Sequence, residues 1–120
     1  MNAVRSILVV DDEANLRRTL ALILQREGYA VRTAACLGEA RDCMKTGPFD
    51  LVLANILANP LRQMATPMSR HLASGALVIL SGLLTPQASA VIASYRARGL
   101  VVRRHIRIEG WSSLLLGKFL

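Results

Sequence analysis

The sequence is poor in aromatic residues and has no long apolar run. Aromatic side chains make up 4% of the 120 residues, which argues against a stacking platform for single-stranded nucleic acid. No apolar run is long enough to span a bilayer, and the first residues, Met1-Asn2-Ala3-Val4-Arg5, lack the apolar core of a signal peptide. We therefore expect a cytoplasmic protein that has no membrane partner.

Cysteine is also scarce, and its spacing excludes the familiar cysteine chemistries. Cys36 and Cys43 lie seven residues apart, and neither has a histidine close to it in sequence. This spacing matches no zinc or redox motif, so we expect free, buried thiols.

Acids are almost absent from the second part of the chain. Residues 51–120 contain one acid, Glu109, and eight bases, which are Arg62, Arg70, Arg96, Arg98, Arg103, Arg104, Arg107 and Lys118. Two interpretations are open: a patch that binds RNA, or a solvated helix end followed by a charged edge strand. We favour the second, so a nucleic-acid partner is not expected.

Apolar segments and helical periodicity alternate along the chain. Ile7–Val10 is a continuous apolar run that ends at Asp11-Asp12, which predicts a buried strand followed by a helix. Three more strand and helix pairs follow, with strands at 29–33, 49–54 and 76–80. The first helix is expected to place its apolar face toward the core, with Leu16, Leu20, Ile23 and Leu24. The helix that begins at Asn59-Pro60 is expected to do the same with Leu61, Met64, Met68 and Leu72.

The end of the chain breaks this alternation. Residues 100–108 and 111–119 both have strand character, and only Glu109-Gly110 separates them, which predicts an antiparallel hairpin. In the first of these strands, simple alternation places Val101, Arg103, His105 and Arg107 on one face and Val102, Arg104, Ile106 and Ile108 on the other. Trp111 is expected to be a core anchor, and His71 and His105 to have surface or packing roles.

These elements predict one α/β domain over residues 1–120. The simplest topology is a three-layer α/β/α doubly wound sheet, flavodoxin-like or Rossmann-like, with strand order 2-1-3-4-6-5 and the last strand antiparallel. Its switch point lies between the first and third strands. A ligand is expected there, above Asp11, Asp12 and Asn55.

The first part of the chain resembles a known family. The segment from Ile7-Leu-Val-Val-Asp-Asp through Gly28-Tyr-Ala-Val to Phe49-Asp-Leu-Val-Leu53 resembles the receiver domain of response regulators, over about residues 1–53. The resemblance implies phosphorylation of an aspartate at the end of the third strand, with Mg²⁺ held by acids after the first strand. Asp11 and Asp12 match those acids, and Ser81 matches the family's Ser/Thr switch position.

The phosphoacceptor position of the receiver pattern is occupied by Asn55. A carboxamide is a poor nucleophile, so phosphotransfer is expected to be lost. The lysine that the family carries after its fifth strand also has no counterpart, because that stretch is Arg103-Arg104-His105. Asp11 and Asp12 then form a vestigial and weak metal site at best, and capping of the first helix is the favoured role.

The second part of the chain resembles a different family. Asp50-Leu-Val-Leu-Ala-Asn-Ile-Leu-Ala-Asn-Pro-Leu61, Leu77-Val-Ile-Leu-Ser-Gly-Leu-Leu84 and Glu109-Gly-Trp111 are similar to PrmA-type ribosomal-protein methyltransferases, over about residues 50–120. The resemblance implies that Asn55 belongs to the loop that positions the nitrogen to be methylated.

The parts of that family that bind S-adenosylmethionine are not matched. Asp11-Asp12-Glu13-Ala14-Asn15 has no glycine where a glycine-rich turn is expected, and Arg32-Thr33-Ala34 has no acid at the end of the second strand. We therefore expect no cofactor, no catalytic residue and no cofactor-binding residue.

Two functions follow as expectations. The first is an engineered chimera of residues 1–53 and 54–120 that has no native enzymatic function, requires no partner and is a monomer or an adventitious dimer. The alternative is a degenerate receiver domain that acts as a phosphorylation-independent protein-interaction module. Neither is an enzyme.

Overall fold

The computed structural model describes residues 5–118, which form one six-stranded sheet with helices on both faces. Its strands are β1 (Ser6–Asp11), β2 (Ala30–Ala34), β3 (Phe49–Asn55), β4 (Leu72–Leu84), β5 (Leu100–Ile108) and β6 (Trp111–Lys118). Its helices are α1 (Ala14–Arg26), α2 (Leu37–Met44), α3 (Ala58–Gln63), α4 (Ala65–His71) and α5 (Ala88–Arg96), and a 3₁₀ turn spans Thr85–Gln87. Phe119, the predicted end of the last strand, lies outside the described residues.

The sheet has the predicted strand order. The order is β2-β1-β3-β4-β6-β5, in which β1 pairs in parallel with β2 and β3, and β3 pairs in parallel with β4. Strand β6 lies antiparallel between β4 and β5 because the two-residue link Glu109-Gly110 leaves no length for a crossover. The predicted doubly wound α/β fold is confirmed.

The core lies between the sheet and helices α2 to α5. Leu8, Val52, Val78 and Leu116 alternate inward from four strands and are fully buried on this side. The Tyr95 hydroxyl of α5 donates a hydrogen bond of 2.7 Å to the backbone carbonyl oxygen of Leu61 in α3. This buried contact fixes the helix that follows β3, and with it the loop at the end of that strand.

One long helix was expected between β3 and β4, and the structure has two short ones. Helix α3 ends at Gln63 and α4 begins at Ala65, because Pro67 has no N–H to donate to the carbonyl oxygen of Gln63. Leu61, Met64 and Met68 are buried as predicted. Leu72 is buried as well, but it begins β4 and does not end a helix.

Helix α1 differs from its prediction. No residue of α1 is fully buried, and Leu16 and Ile23 of the predicted inward face are 42% and 50% exposed. The reason is that α1 contacts β1 and β2, whereas α2, α3, α4 and α5 pack against one another on the opposite face of the sheet. No second helix among the described residues lies beside α1.

The hairpin also corrects two expectations. A bulge between Val102 and Arg104 shifts the alternation of β5, so that His105 and Arg107 pair with Leu114 and Ser112 on the helix-covered face. Trp111 is 55% exposed, and the prediction of a core anchor is wrong. It lies on the face that α1 leaves uncovered.

Both cysteines are free, as predicted, but they are not buried as predicted. Cys36 is exposed as the N-cap residue of the short helix α2, and Cys43, in the last turn of that helix, is half-buried. Within residues 5–118, no helix combines the length and the apolar character that crossing a membrane requires.

Candidate functional site

Polar side chains form a line across the carboxyl ends of the parallel strands. Asp11 of β1 lies beside Asn55 of β3, and Asn55 lies beside Ser81 of β4. The Ser81 hydroxyl oxygen is 3.4 Å from that of Ser113 on β6. Ends of parallel strands meet at one edge of a sheet, so the structure brings together Asp11 and Asn55, as predicted from the sequence. It also places Ser81, named there as the switch position, beside them, and it adds Ser113.

Asp11 is the most buried member of this line, with 2% of its surface exposed. Its Oδ1 accepts a hydrogen bond of 2.9 Å from the backbone N–H of Glu13, and its Oδ2 accepts one of 3.3 Å from Nδ2 of Asn55. Both carboxylate oxygens are therefore engaged by donors within the protein, as burial of a carboxylate requires.

The acids that follow Asp11 face α1 and the solvent. The Glu13 carboxylate accepts hydrogen bonds from the backbone N–H groups of Asn15 and Leu16, so it caps the N-terminus of α1. Asp12 is exposed. No group of three or more His, Cys, Asp or Glu side chains placed to hold a metal occurs between residues 5 and 118. The weak metal site at Asp11 and Asp12 stays a prediction.

Asn55 is held in one orientation. The Asp11 carboxylate can only accept hydrogen bonds, so the amide nitrogen of Asn55 must face it and the Oδ1 must face away. That oxygen lies against Gly82, where a side chain would collide with it. The position that a Cβ of Gly82 would take is also 3.6 Å from the backbone carbonyl oxygen of Ile56. Two acceptor oxygens thus border the space beside Gly82.

A cavity of about 220 Å³ lies between α1 and the sheet, next to this line. Its floor and walls are apolar, from Val9, Leu16, Leu20, Leu53 and Ile79, and its polar end is formed by Asp11, Asn55 and Ser81. Sites for cofactors and drug-sized ligands occupy roughly 300 to 1,000 Å³. This cavity alone is too small for a nucleotide-sized cofactor.

Gly82 and Ser113 were not identified from the sequence. A glycine within an apolar strand pattern indicates a close approach of other atoms, and this signal was available at Gly82. Ser113 was missed because only the pairing of β4 with β6 brings it to the site, and the register of that pairing cannot be deduced from local sequence patterns.

A second chain of polar side chains lies on the helix-covered face of the sheet. It runs from His105 to Ser112 (2.8 Å) and from Ser112 to Thr85 (3.1 Å).

The comparison with protein families shows the family of most of the chain. The family model described as "Ribosomal protein L11 methyltransferase (PrmA)" matches residues 25–118. This chain belongs to the ribosomal protein L11 methyltransferase family. The match also covers residues 25–53, which the receiver resemblance had included. It leaves β1 and all of α1 except its last two residues outside.

Curated members of the family are close in sequence but much longer. The ribosomal protein L11 methyltransferase of Bradyrhizobium diazoefficiens is 69% identical over 96 residues, which are 79% of this chain and 32% of that protein. The chain therefore spans about a third of the length of this relative.

Solved structures agree on the fold. A ribosomal protein L11 methylase from Lactobacillus delbrueckii subsp. bulgaricus superposes with a TM-score of 0.79 at 19% identity, over 100% of this chain and 73% of that chain. A response regulator from Burkholderia pseudomallei superposes with a TM-score of 0.60 at 25% identity, over 75% of this chain and 55% of that one. Both resemblances noted in the sequence thus have structural counterparts.

The family match corrects the functional expectations. The prediction of an engineered chimera without native enzymatic function is wrong, because relatives at high identity are named as methyltransferases. The match over residues 25–118 equally overturns the alternative of a degenerate receiver that acts as an interaction module. The prediction that the chain is not an enzyme is wrong for the same reason.

The residues at the switch point do not fit S-adenosylmethionine, the methyl donor that class I methyltransferases use. The Glu13 carboxylate occupies the N–H groups of the first turn of α1, where a cofactor would approach the backbone. Asp11, which ends β1, is followed by Asp12 and Glu13 before α1 begins, so this turn has three acids and no glycine, and β2 ends in Ala34.

Proposed function

We propose that this chain holds the amino nitrogen of a protein substrate at the Asn55 carboxamide, which is the acceptor side of a methyltransferase reaction. The observation that carries the proposal is the pair of oxygens beside Gly82: Oδ1 of Asn55 and the backbone carbonyl of Ile56. The names of the relatives supply the substrate, ribosomal protein L11.

The chemistry of these two oxygens suits an amine. A neutral primary amine has N–H bonds to donate and one lone pair that must stay free if the nitrogen is to react. Carboxamide and peptide oxygens accept N–H bonds and do not take up a proton at neutral pH. Asn55 and Ile56 therefore orient the nitrogen without consuming its lone pair.

The surroundings of Asn55 suit a protein substrate. Leu57 is 71% exposed directly after the strand, and Leu84 and Trp111, which pair with each other across β4 and β6, are 45% and 55% exposed. Exposed apolar side chains of this size beside a polar site are typical of surfaces that bind other proteins.

The experiment is a binding measurement by isothermal titration calorimetry with purified ribosomal protein L11. Asn55→Ala removes one acceptor, and we expect it to weaken binding about fivefold to tenfold, the effect of one hydrogen bond of about 1 kcal/mol. Asn59→Ala is the matched control, because Asn59 is an exposed asparagine of α3 four residues away. Equal affinities of both variants and the parent chain, or no binding by the parent chain, would contradict the proposal.

We also propose that the chain joins segments of two origins in one domain. The segment before residue 25 lies outside the family match and carries the receiver-like strand Ile7–Val10 and the acids Asp11 and Asp12. A receiver origin of this segment accounts for the missing glycine turn. Replacing it with the corresponding segment of the Bradyrhizobium relative is expected to produce S-adenosylmethionine binding, measured by calorimetry. Failure of that well-folded variant to bind would contradict this origin.

A further inference from the structure

A groove separates α2 from α4 on the helix-covered face of the sheet. Its volume is about 510 Å³, more than twice that of the cavity of about 220 Å³ beside Asn55. Ligand sites in proteins occupy roughly 300 to 1,000 Å³, so the groove has the size of a site for a small organic molecule. Arg41 and Lys45 line it from the side of α2, and Arg70 and His71 line it from the side of α4.

The charges around the groove are mostly positive. Asp42 is the one acid of the lining, and its carboxylate lies 3.7 Å from Nζ of Lys45, so these two charges offset each other. Neither Arg41 nor Arg70 forms an ion pair with a residue between 5 and 118. The groove therefore presents two guanidinium groups, one from each helix, without a negative partner in the described part of the chain.

Helix geometry directs the two arginines into the same groove. Gly38, Arg41 and Lys45 follow one another at spacings of three and four residues, which places them on one face of α2. Arg70 follows Thr66 at a spacing of four, and both line the groove from α4. Basic residues in the last turn of a helix offset the helix dipole, but this effect does not require that two helices present them to a shared groove.

Gly38 is an independent sign that the groove is kept open. Of the eight glycines in the chain, five have a positive φ angle, and at two others a Cβ would collide with neighbouring atoms. Gly38 alone has neither property, since it lies in the first turn of α2 and no atom lies within 4 Å of its Cβ position. Glycine is a poorer helix former than alanine, so the backbone does not explain its presence. It lines the groove, and a larger side chain would project into it.

From these observations we infer that the groove between α2 and α4 binds an organic phosphate, a phosphate ester about the size of a nucleotide. Guanidinium groups pair with phosphate oxygens through two parallel N–H bonds, and the Thr66 hydroxyl and the His71 imidazole add donors to the lining. A phosphate ion alone would leave most of the groove unfilled. This inference does not depend on the proposed function, because the groove shares no residue with the cavity beside Asn55.

The test is isothermal titration calorimetry of the chain with three probes: ADP, inorganic phosphate and a short single-stranded RNA. We expect saturable binding of ADP, at least tenfold tighter than that of inorganic phosphate, because phosphate alone fills only part of the groove. The affinity for ADP is expected to fall as the salt concentration rises, since exposed charges are screened. Absence of ADP binding, or equal affinity for ADP and phosphate, would overturn the inference. Tighter binding of RNA than of ADP would overturn it in favour of a nucleic-acid interface.

Substitutions locate the site. Arg41→Gln and Arg70→Gln each remove one guanidinium group, and we expect each to weaken ADP binding at least tenfold. Arg98→Gln is the matched control, because it removes the same charge from an exposed arginine outside the groove, and we expect it to bind like the parent chain.

Gly38→Leu tests the groove itself. Leucine is a better helix former than glycine and its Cβ meets no neighbouring atom, so we expect the fold to survive, as checked by urea unfolding, and ADP binding to fall at least tenfold. A folded Gly38→Leu variant with the affinity of the parent chain, or an Arg98→Gln variant as impaired as Arg70→Gln, would overturn the assignment to this groove.

Discussion

Asn55 on β3 and Gly82 on β4 fit together because Gly82 has no side chain. A Cβ at this position would collide with the Asn55 Oδ1, and the φ angle of Gly82 is +81°, in the left-handed region that favours glycine. Asp11 holds the other end of the same carboxamide. The three residues come from three adjacent strands and together define the position of one acceptor oxygen.

Gly82→Ala is expected to lower the free energy of unfolding by about 2 to 4 kcal/mol. The reason is that backbone strain at a positive φ and the collision with Asn55 both raise the free energy of the folded state. The measurement is urea unfolding followed by circular dichroism. Gly75→Ala is the control for strain alone, since Gly75 lies in the same strand at φ +75° and has no atom within 4 Å of its Cβ position. If both variants lose the same stability, the contact with Asn55 has no energetic role.

Asn55→Asp is expected to destabilise the protein at neutral pH by about 2 kcal/mol. It places a second carboxylate about 3 Å from the buried carboxylate of Asp11, and two such charges do not ionise together without cost. One pKa of the two carboxyl groups then rises in the folded state of the variant. The loss of stability is therefore present above that pKa and disappears as the pH falls through it. Urea unfolding at pH 7 and pH 4 measures this, with the exposed Asn59→Asp as control. A variant as stable as the parent chain at pH 7 would refute the described contact.

Tyr95→Phe tests the support of the loop after β3. The variant loses the hydrogen bond of 2.7 Å to the Leu61 carbonyl oxygen, which then keeps only the longer bond of 3.2 Å from the backbone N–H of Met64, at a cost of about 1 kcal/mol. Tyr29→Phe, at a tyrosine that is 38% exposed, is expected to change stability little. Burial also raises the pKa of Tyr95 well above its usual value, so its hydroxyl should resist ionisation in an absorbance titration of the folded protein. Ionisation of Tyr95 near pH 10 would contradict this burial.

The stability of the fold is expected to depend on pH through His105. Desolvation, followed by the nearby Arg107, lowers the pKa of His105 below its ordinary value of 6.5. His105 therefore takes up a proton more readily in the unfolded chain than in the folded protein. Its contribution to the free energy of unfolding is fully present above pH 6.5 and is lost as the pH drops toward the lowered pKa. The pKa is measured by NMR titration of the imidazole. Arg107→Gln is expected to raise it, and a pKa that is unchanged or lower in that variant would show that Arg107 has no part in the shift.

Most of the fold could be predicted from the sequence because the strands are short apolar runs between clear turn signals. Ile7–Val10 predicts a buried strand and the two-residue link Glu109-Gly110 predicts an antiparallel hairpin. With right-handed crossovers between the parallel strands, the simplest strand order is the observed one. The exposure of α1 could not be predicted in this way. Helical periodicity shows which face of α1 is apolar, but not whether a second helix lies beside it.

The candidate site could be predicted only in part. Asp11 and Asn55 follow from their positions at the ends of buried strands. The bulge at Arg103 and the contact between Gly82 and Asn55 depend on how β4, β5 and β6 pair, which local patterns do not contain. The expectation of no enzymatic function is wrong because it depends on the incomplete motifs for phosphotransfer and for the methyl donor, whereas the family match extends through residues 25–118.

If the Asn55 site recognises an amine of a protein substrate, acetylation of the amino groups of ribosomal protein L11 weakens its binding. Acetylation removes the amine's N–H donors and adds bulk at the nitrogen. In titration calorimetry we expect the parent chain to bind unmodified L11 at least tenfold more tightly than acetylated L11, and Asn55→Ala to lose most of this difference. Equal affinity of the parent chain for both forms would contradict the claim.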